Sequence, residues 1–99
     1  VDPVAVLIEA WVAWDTAAMA LGELGRKTKG KYRPPGHALE REAHAKEAAL
    51  KALGIDSTHA HRGIAAIRRQ APSWLPGGLS VPDAVMTYLA DNHHLKEAP

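Results

Sequence analysis

Val4, Leu7, Trp11, Trp14, Ala18 and Leu21 step by threes and fours along the opening of this chain, the repeat of one face of an α-helix. Asp2 stands where an N-cap belongs, Pro3 suits the first helical position, and Gly25 suits the residue just past the end. The spacing therefore predicts a helix from about Pro3 to Leu24. Ile8, Val12 and Met19 broaden its apolar stripe beyond what a single partner helix requires.

Three more helices are expected. The second runs from about His37 to Leu53 and is closed by Gly54, with Leu39, Ala43, Leu50 and Leu53 inward and Ala45, Ala49 and Ala52 permitting close approach. Glu42–Lys46 and Glu47–Lys51 are i,i+4 pairs in the favourable order, each contributing about 0.2–0.5 kcal/mol. The third spans about Ser57–Gln70, starts from an Asp56/Ser57 cap, stops before Pro72 and buries Ala60, Ile64 and Ile67. Gly63 inside it costs about 1 kcal/mol against alanine. Residues 73–78 form a loop with an apolar anchor. Ser80-Val81-Pro82-Asp83 is a capping box that opens the fourth helix, about Val81–Leu95, burying Val81, Val85, Tyr88 (or Leu89) and Leu95. The fold class is all-α: four helices, the first two making a long antiparallel helical hairpin.

Hydrophobic residues make up 46 % of the chain, but nineteen residues are alanine and phenylalanine is absent. A monomer would build only a thin core, which self-association or a partner would enlarge. The absence of cysteine excludes a disulfide scaffold and thiolate metal or redox sites. It fits a reducing, cytoplasmic setting. No uninterrupted apolar run reaches the roughly eighteen residues of a membrane span. Val4–Leu24 comes nearest, but Glu9, Asp15 and Glu23 interrupt it, and no basic region precedes it as in a signal peptide. No membrane partner is expected. The sequence opens at Val1 and reads as a single helical domain over 1–99, or as a fragment of something longer.

Formal net charge is only +1, yet the charges are segregated. Residues 1–25 carry Asp2, Glu9, Asp15 and Glu23 and no Lys or Arg. Arg26–Gly36 carries Arg26, Lys27, Lys29, Lys31 and Arg33 and no acid. That block falls where the hairpin must turn. With Tyr32 available to lie on a sugar or base, it is a candidate for salt-sensitive, sequence-independent nucleic-acid contact. The bland alternative has the lysines solvating an exposed turn while Arg26 and Lys27 complement the helix dipole. Thr28 and Tyr32 favour strands, so a tiny β-hairpin around Gly30 is an option for the loop 26–33 before Pro34-Pro35-Gly36 breaks structure. Arg62, Arg68 and Arg69 would extend the patch if they shared its face. Trp11 and Trp14, three apart, are candidate oligomer or partner anchors, or core residues standing in for the missing phenylalanines.

Six histidines are present. His59 and His61 would lie on one side of an extended segment, as in some metal sites, but diverge by about 200° on a helix. His93 and His94 suit the C-terminal end of the fourth helix. Glu40, Glu42, His44 and Glu47 are the nearest approach to an acid/base set, and a solvated helix face accounts for them equally. No metal, no cofactor and no catalytic residue is assigned, and the chain is read as a non-enzyme. A small metal-dependent enzyme is the remotest reading.

Ala10-Trp11-Val12-Ala13-Trp14-Asp15-Thr16-Ala17 is followed by Lys27-Thr28-Lys29-Gly30-Lys31-Tyr32-Arg33-Pro34. Then come Glu40-Arg41-Glu42-Ala43 and Ala52-Leu53-Gly54-Ile55-Asp56-Ser57-Thr58. In this order and spacing, residues 7–58 resemble the oligomer-forming half of certain phage terminase small subunits, the proteins that recognise viral DNA for packaging. The resemblance implies a non-enzymatic, self-associating adaptor for duplex DNA that works with the large, ATPase-nuclease terminase subunit. The competing expectation is a helical protein–protein interaction module that binds no nucleic acid.

Overall fold

The computed structural model describes residues 2–72, 74–75 and 78–92. It contains four α-helices, α1 (Pro3–Lys27), α2 (Glu40–Ala52), α3 (Ser57–Arg69) and α4 (Val81–Asp91), and no strand among the described residues. The chain is all-α. Its packing divides into two compact units, one ending at Leu53 and one beginning at Gly54. In the first, α1 packs on α2; in the second, α3 packs on α4.

The first unit is the helical hairpin. Asp2 caps α1, its carboxylate accepting from the Val4 amide at 3.0 Å. The helix does not stop at Gly25 as the sequence predicts; it runs through Gly22 and Gly25 to Lys27. A glycine inside a helix costs about 1 kcal/mol, and the cap at Thr28, three residues past Gly25, offsets it. The Thr28 amide donates to the Leu24 carbonyl at 3.1 Å, the Lys29 amide to Arg26 at 3.1 Å and the Gly30 amide to Gly25 at 2.8 Å. The last two are the paired bonds of a Schellman turn, which satisfies the free carbonyls of the last turn. Lys29 (φ 54°) and Gly30 (φ 82°) both lie in the left-handed region that this turn demands.

At the far side of the loop, α2 begins at Glu40 and not at His37. Pro34 and Pro35 hold the preceding backbone out of the helix. Short turns then carry the chain to α2, the Ala38 amide donating to Pro35 at 3.0 Å and the Glu40 amide to His37 at 3.1 Å. Leu7, Trp11, Ala49 and Leu50 form the buried apolar contact, and Lys46 is buried with them at 2 % exposure. Leu39, Ala43 and Leu53 are half-buried, while Ala45 and Ala52 face outward.

By length and composition alone α1 would reach across a bilayer, a property hidden in the sequence by the acids along it. Asp15 would stand near the middle of such a span, where an acid costs about 2.5–3.5 kcal/mol.

The second unit is built on Ala60, Ile64, Val81, Ala84, Val85, Tyr88 and Leu89, all buried. Asp56 caps α3 by accepting from the His59 amide at 2.9 Å. Ser80 caps α4, accepting from the Asp83 amide at 3.3 Å while its hydroxyl donates to the Asp83 carboxylate at 3.0 Å. Gly63 does not interrupt α3: a Cβ there would stand 2.5 Å from Cε1 of Tyr88, so the missing side chain is what admits the phenol ring. Ile67 is half-buried. In the connecting loop Leu75 is half-buried and Trp74 is 76 % exposed, so the anchor is the leucine. α4 ends at Asp91 with Asn92 as its C-cap, short of the expected Leu95; His93, His94 and Leu95 lie outside the described residues.

Candidate functional site

Arg26 and Lys27 occupy the last turn of α1, and Lys29, Lys31 and Arg33 follow on the loop; all five are exposed. No β-hairpin forms here. Thr28 organises the tip instead. Its hydroxyl donates to the Leu24 carbonyl at 2.8 Å and accepts from the Tyr32 amide at 2.9 Å. One side chain thus ties the end of the helix to the strand-favouring residue four positions on, and the backbone groups a hairpin would have paired are used locally. A further bond, Lys31 amide to Thr28 carbonyl at 3.1 Å, closes the turn. Arg26 pairs with Glu23 one turn back on α1. Such an exposed pair contributes at most about 1 kcal/mol. The result is a hydrogen-bonded turn that displays cations, with Tyr32 half-buried at its base.

The indoles sit deeper in the same unit. Trp11 is 4 % exposed, and Trp14 is half-buried. The Lys46 ammonium lies 3.5 Å from the ring centroid of Trp14 and 4.8 Å from that of Trp11, a cation–π arrangement worth about 0.5–2 kcal/mol. Burial pushes the Lys46 pKa below its ordinary value of 10.5, partly offset by the neighbouring Glu47 carboxylate. The sequence reading gave Lys46 only a pairing with Glu42 along α2; in the structure its stem and charge belong to the hairpin core. A signal was present. Position 46 fills the gap in the predicted inward series 39, 43, 50, 53, although lysine is seldom buried.

In the second unit, His59 Nδ1 and the Tyr88 hydroxyl share a hydrogen bond. Tyr88 is 3 % exposed. Its phenol is held above the ordinary value of 10.0, first by burial and then by the Asp56 carboxylate. His61 turns to the Ser57 carbonyl at 2.8 Å, so the two histidine rings engage different partners. Arg68 donates from Nε to the Leu79 carbonyl at 2.9 Å, fastening the loop that leads into α4. Arg62, Arg68 and Arg69 belong to this unit and not to the hairpin that carries the tip. Back on the hairpin, Glu40, Glu42 and His44 line one groove with His37 and Arg41 at the start of α2. No group of three or more His, Asp or Glu with metal-holding geometry occurs among the described residues.

No protein-family model matches this chain, and neither a curated protein nor a solved structure matches it.

Proposed function

We propose that this protein is a non-enzymatic, self-associating adaptor that docks on duplex DNA through Arg26, Lys27, Lys29, Lys31 and Arg33, with Tyr32 beside the backbone. One observation supports the reading most: these cations stand exposed on a turn held by six hydrogen bonds, four between backbone groups and two through the Thr28 hydroxyl. The ordering of that backbone precedes any encounter, so little of the binding energy is lost to loop entropy. Phosphates would be met by charge, and bases would be read weakly. Binding by one tip is weak, and avidity from several tips on one assembly would supply the strength.

The likeness of residues 7–58 to phage terminase small subunits extends the proposal to DNA packaging beside a large ATPase-nuclease subunit, in the host cytoplasm. The test is duplex binding across a salt series. Four or five phosphate contacts give a fall of log K with log salt of slope about −4. Absence of binding at low salt, or binding indifferent to salt, removes the nucleic-acid role and leaves a protein-interaction module. That second reading draws on the exposed apolar side chains of α1, Val6, Met19 and Leu24.

A further inference from the structure

The Trp11 face of α1 is occupied by α2, yet only 11 % of the helix's most apolar stretch is buried. Met19, 67 % exposed, lies about 140° around the helix from Leu24, but Val6 and Leu24 fall on one line with a run of alanines. Val6, Ala10, Ala13, Ala17, Ala20 and Leu24 recur at four, three, four, three and four residues, which is the a/d spacing of a coiled-coil seam. This seam lies about 100° around the helix from Leu7 and Trp11. Val6 and Leu24, its two large members, are 40 % and 42 % exposed. Ala13 and Ala20 are exposed, and Ala10 and Ala17 are half-buried. No charged residue interrupts the seam between Val6 and Leu24.

We infer that α1 pairs antiparallel with α1 of a second copy along this seam. The register that sets Val6 against Leu24 of the partner subunit also sets Ala13 against Ala17 of the partner subunit. Four alanines at the centre let the axes approach to the short end of the usual 8–10 Å, and the larger residues close both ends.

Charge decides the direction. The first 25 residues carry four acids and no Lys or Arg, whereas Arg26 and Lys27 end the helix. Antiparallel pairing brings Lys27 beside Asp2 of the partner subunit and opposes the two helix dipoles; parallel pairing stacks like charges and aligns the dipoles. Trp14 borders the seam on the α2 side and is half-buried, so the new contact continues the hairpin core outward. The pair would form a four-helix bundle with a basic tip at each end.

This inference rests on the self-association half of the proposed function and is independent of the nucleic-acid half. The chain has no cysteine, which makes oxidative cross-linking clean. Light scattering on the full chain, at about 100 μM without nucleic acid, should give at least twice the chain mass of 10.6 kDa. A mixture of the Val6→Cys and Leu24→Cys variants should form the mixed disulfide, and neither variant alone should link to itself. Ala13→Glu should halve the mass while leaving the far-ultraviolet helix signal in place. A monomer at that concentration overturns the pairing, and so does Val6→Cys linking to itself. Sedimentation of the chain with neutral phospholipid vesicles in place of self-association assigns the face to lipid and overturns it too. A monomer that still binds duplex with steep salt dependence leaves the nucleic-acid proposal standing, which separates the two failures.

Discussion

The ammonium of Lys46 lies 3.5 Å from the centre of the Trp14 ring, inside a hairpin where Lys46 is only 2 % exposed. Two opposing effects meet at this contact: desolvation penalises the charge, and the ring faces and the nearby Glu47 carboxylate favour it. Desolvation is the larger, since the pKa is lowered. The protonated form is therefore worse off in the folded hairpin than in the unfolded chain. Stability of this unit should be flat below the depressed Lys46 pKa, then rise as pH climbs toward 10.5, where the unfolded chain also loses its proton. Urea unfolding followed by indole fluorescence should show that rise, and Lys46→Met should abolish it. Lys46→Ala, which also removes the stem, should cost about 1–3 kcal/mol at neutral pH. A stability that falls with pH in this window contradicts the assignment.

Charge reversal at the tip addresses the nucleic-acid proposal. Lys27, Lys29 and Lys31 are exposed, so the triple Lys→Glu variant should melt within a few degrees of the parent. It should lose about three units of salt slope and most of its low-salt affinity for duplex. Equal affinity in parent and variant would locate any binding elsewhere.

Lys29 holds φ 54° at the residue that closes the Schellman turn, a conformation that costs a residue with a Cβ about 1–2 kcal/mol. Lys29→Gly should therefore stabilise the hairpin by about 0.5–1 kcal/mol, and Lys29→Val should destabilise it. If Lys29 also meets a phosphate, Lys29→Gly should raise the melting temperature while weakening DNA binding. Thermal unfolding and a binding titration on the same sample read both.

Gly63 and Tyr88 form a matched pair: a Cβ on one would stand 2.5 Å from the ring of the other. Gly63→Ala should cost about 1–3 kcal/mol in the second unit despite the better helix propensity of alanine. Adding Tyr88→Leu should recover part of that loss, giving a non-additive double-mutant cycle. Additive costs would show that ring and glycine do not share the space.

Much of this fold is legible in the sequence. The Asp2, Asp56 and Ser80 caps, the α1 stripe through Leu7 and Trp11 and the inward residues Ala60, Ile64, Val81 and Val85 stand where spacing and cap chemistry place them. What was not legible depends on tertiary partners. Gly25 reads as a helix stop because the Thr28 bonds that carry α1 past it involve a side chain and a loop whose conformation local propensity does not encode. Lys46 reads only as a partner for Glu42 because the packed hairpin alone supplies two indole faces for its charge. Gly63 reads as a weak point because the ring that needs its bareness comes from a residue 25 positions away, Tyr88. At the candidate site, the cations and their exposure follow from sequence; the turn that presents them does not.

Each helix pair closes its own small apolar interior, one ahead of Gly54 and one after it. About fifty residues give each only a modest reserve of stability. Heating should accordingly yield a calorimetric enthalpy larger than the van't Hoff value. Trp11 and Trp14 lie in the first interior and Tyr88 in the second, so a chain with Tyr32 and Trp74 replaced by phenylalanine would let indole and phenol signals follow the loss of each interior by itself.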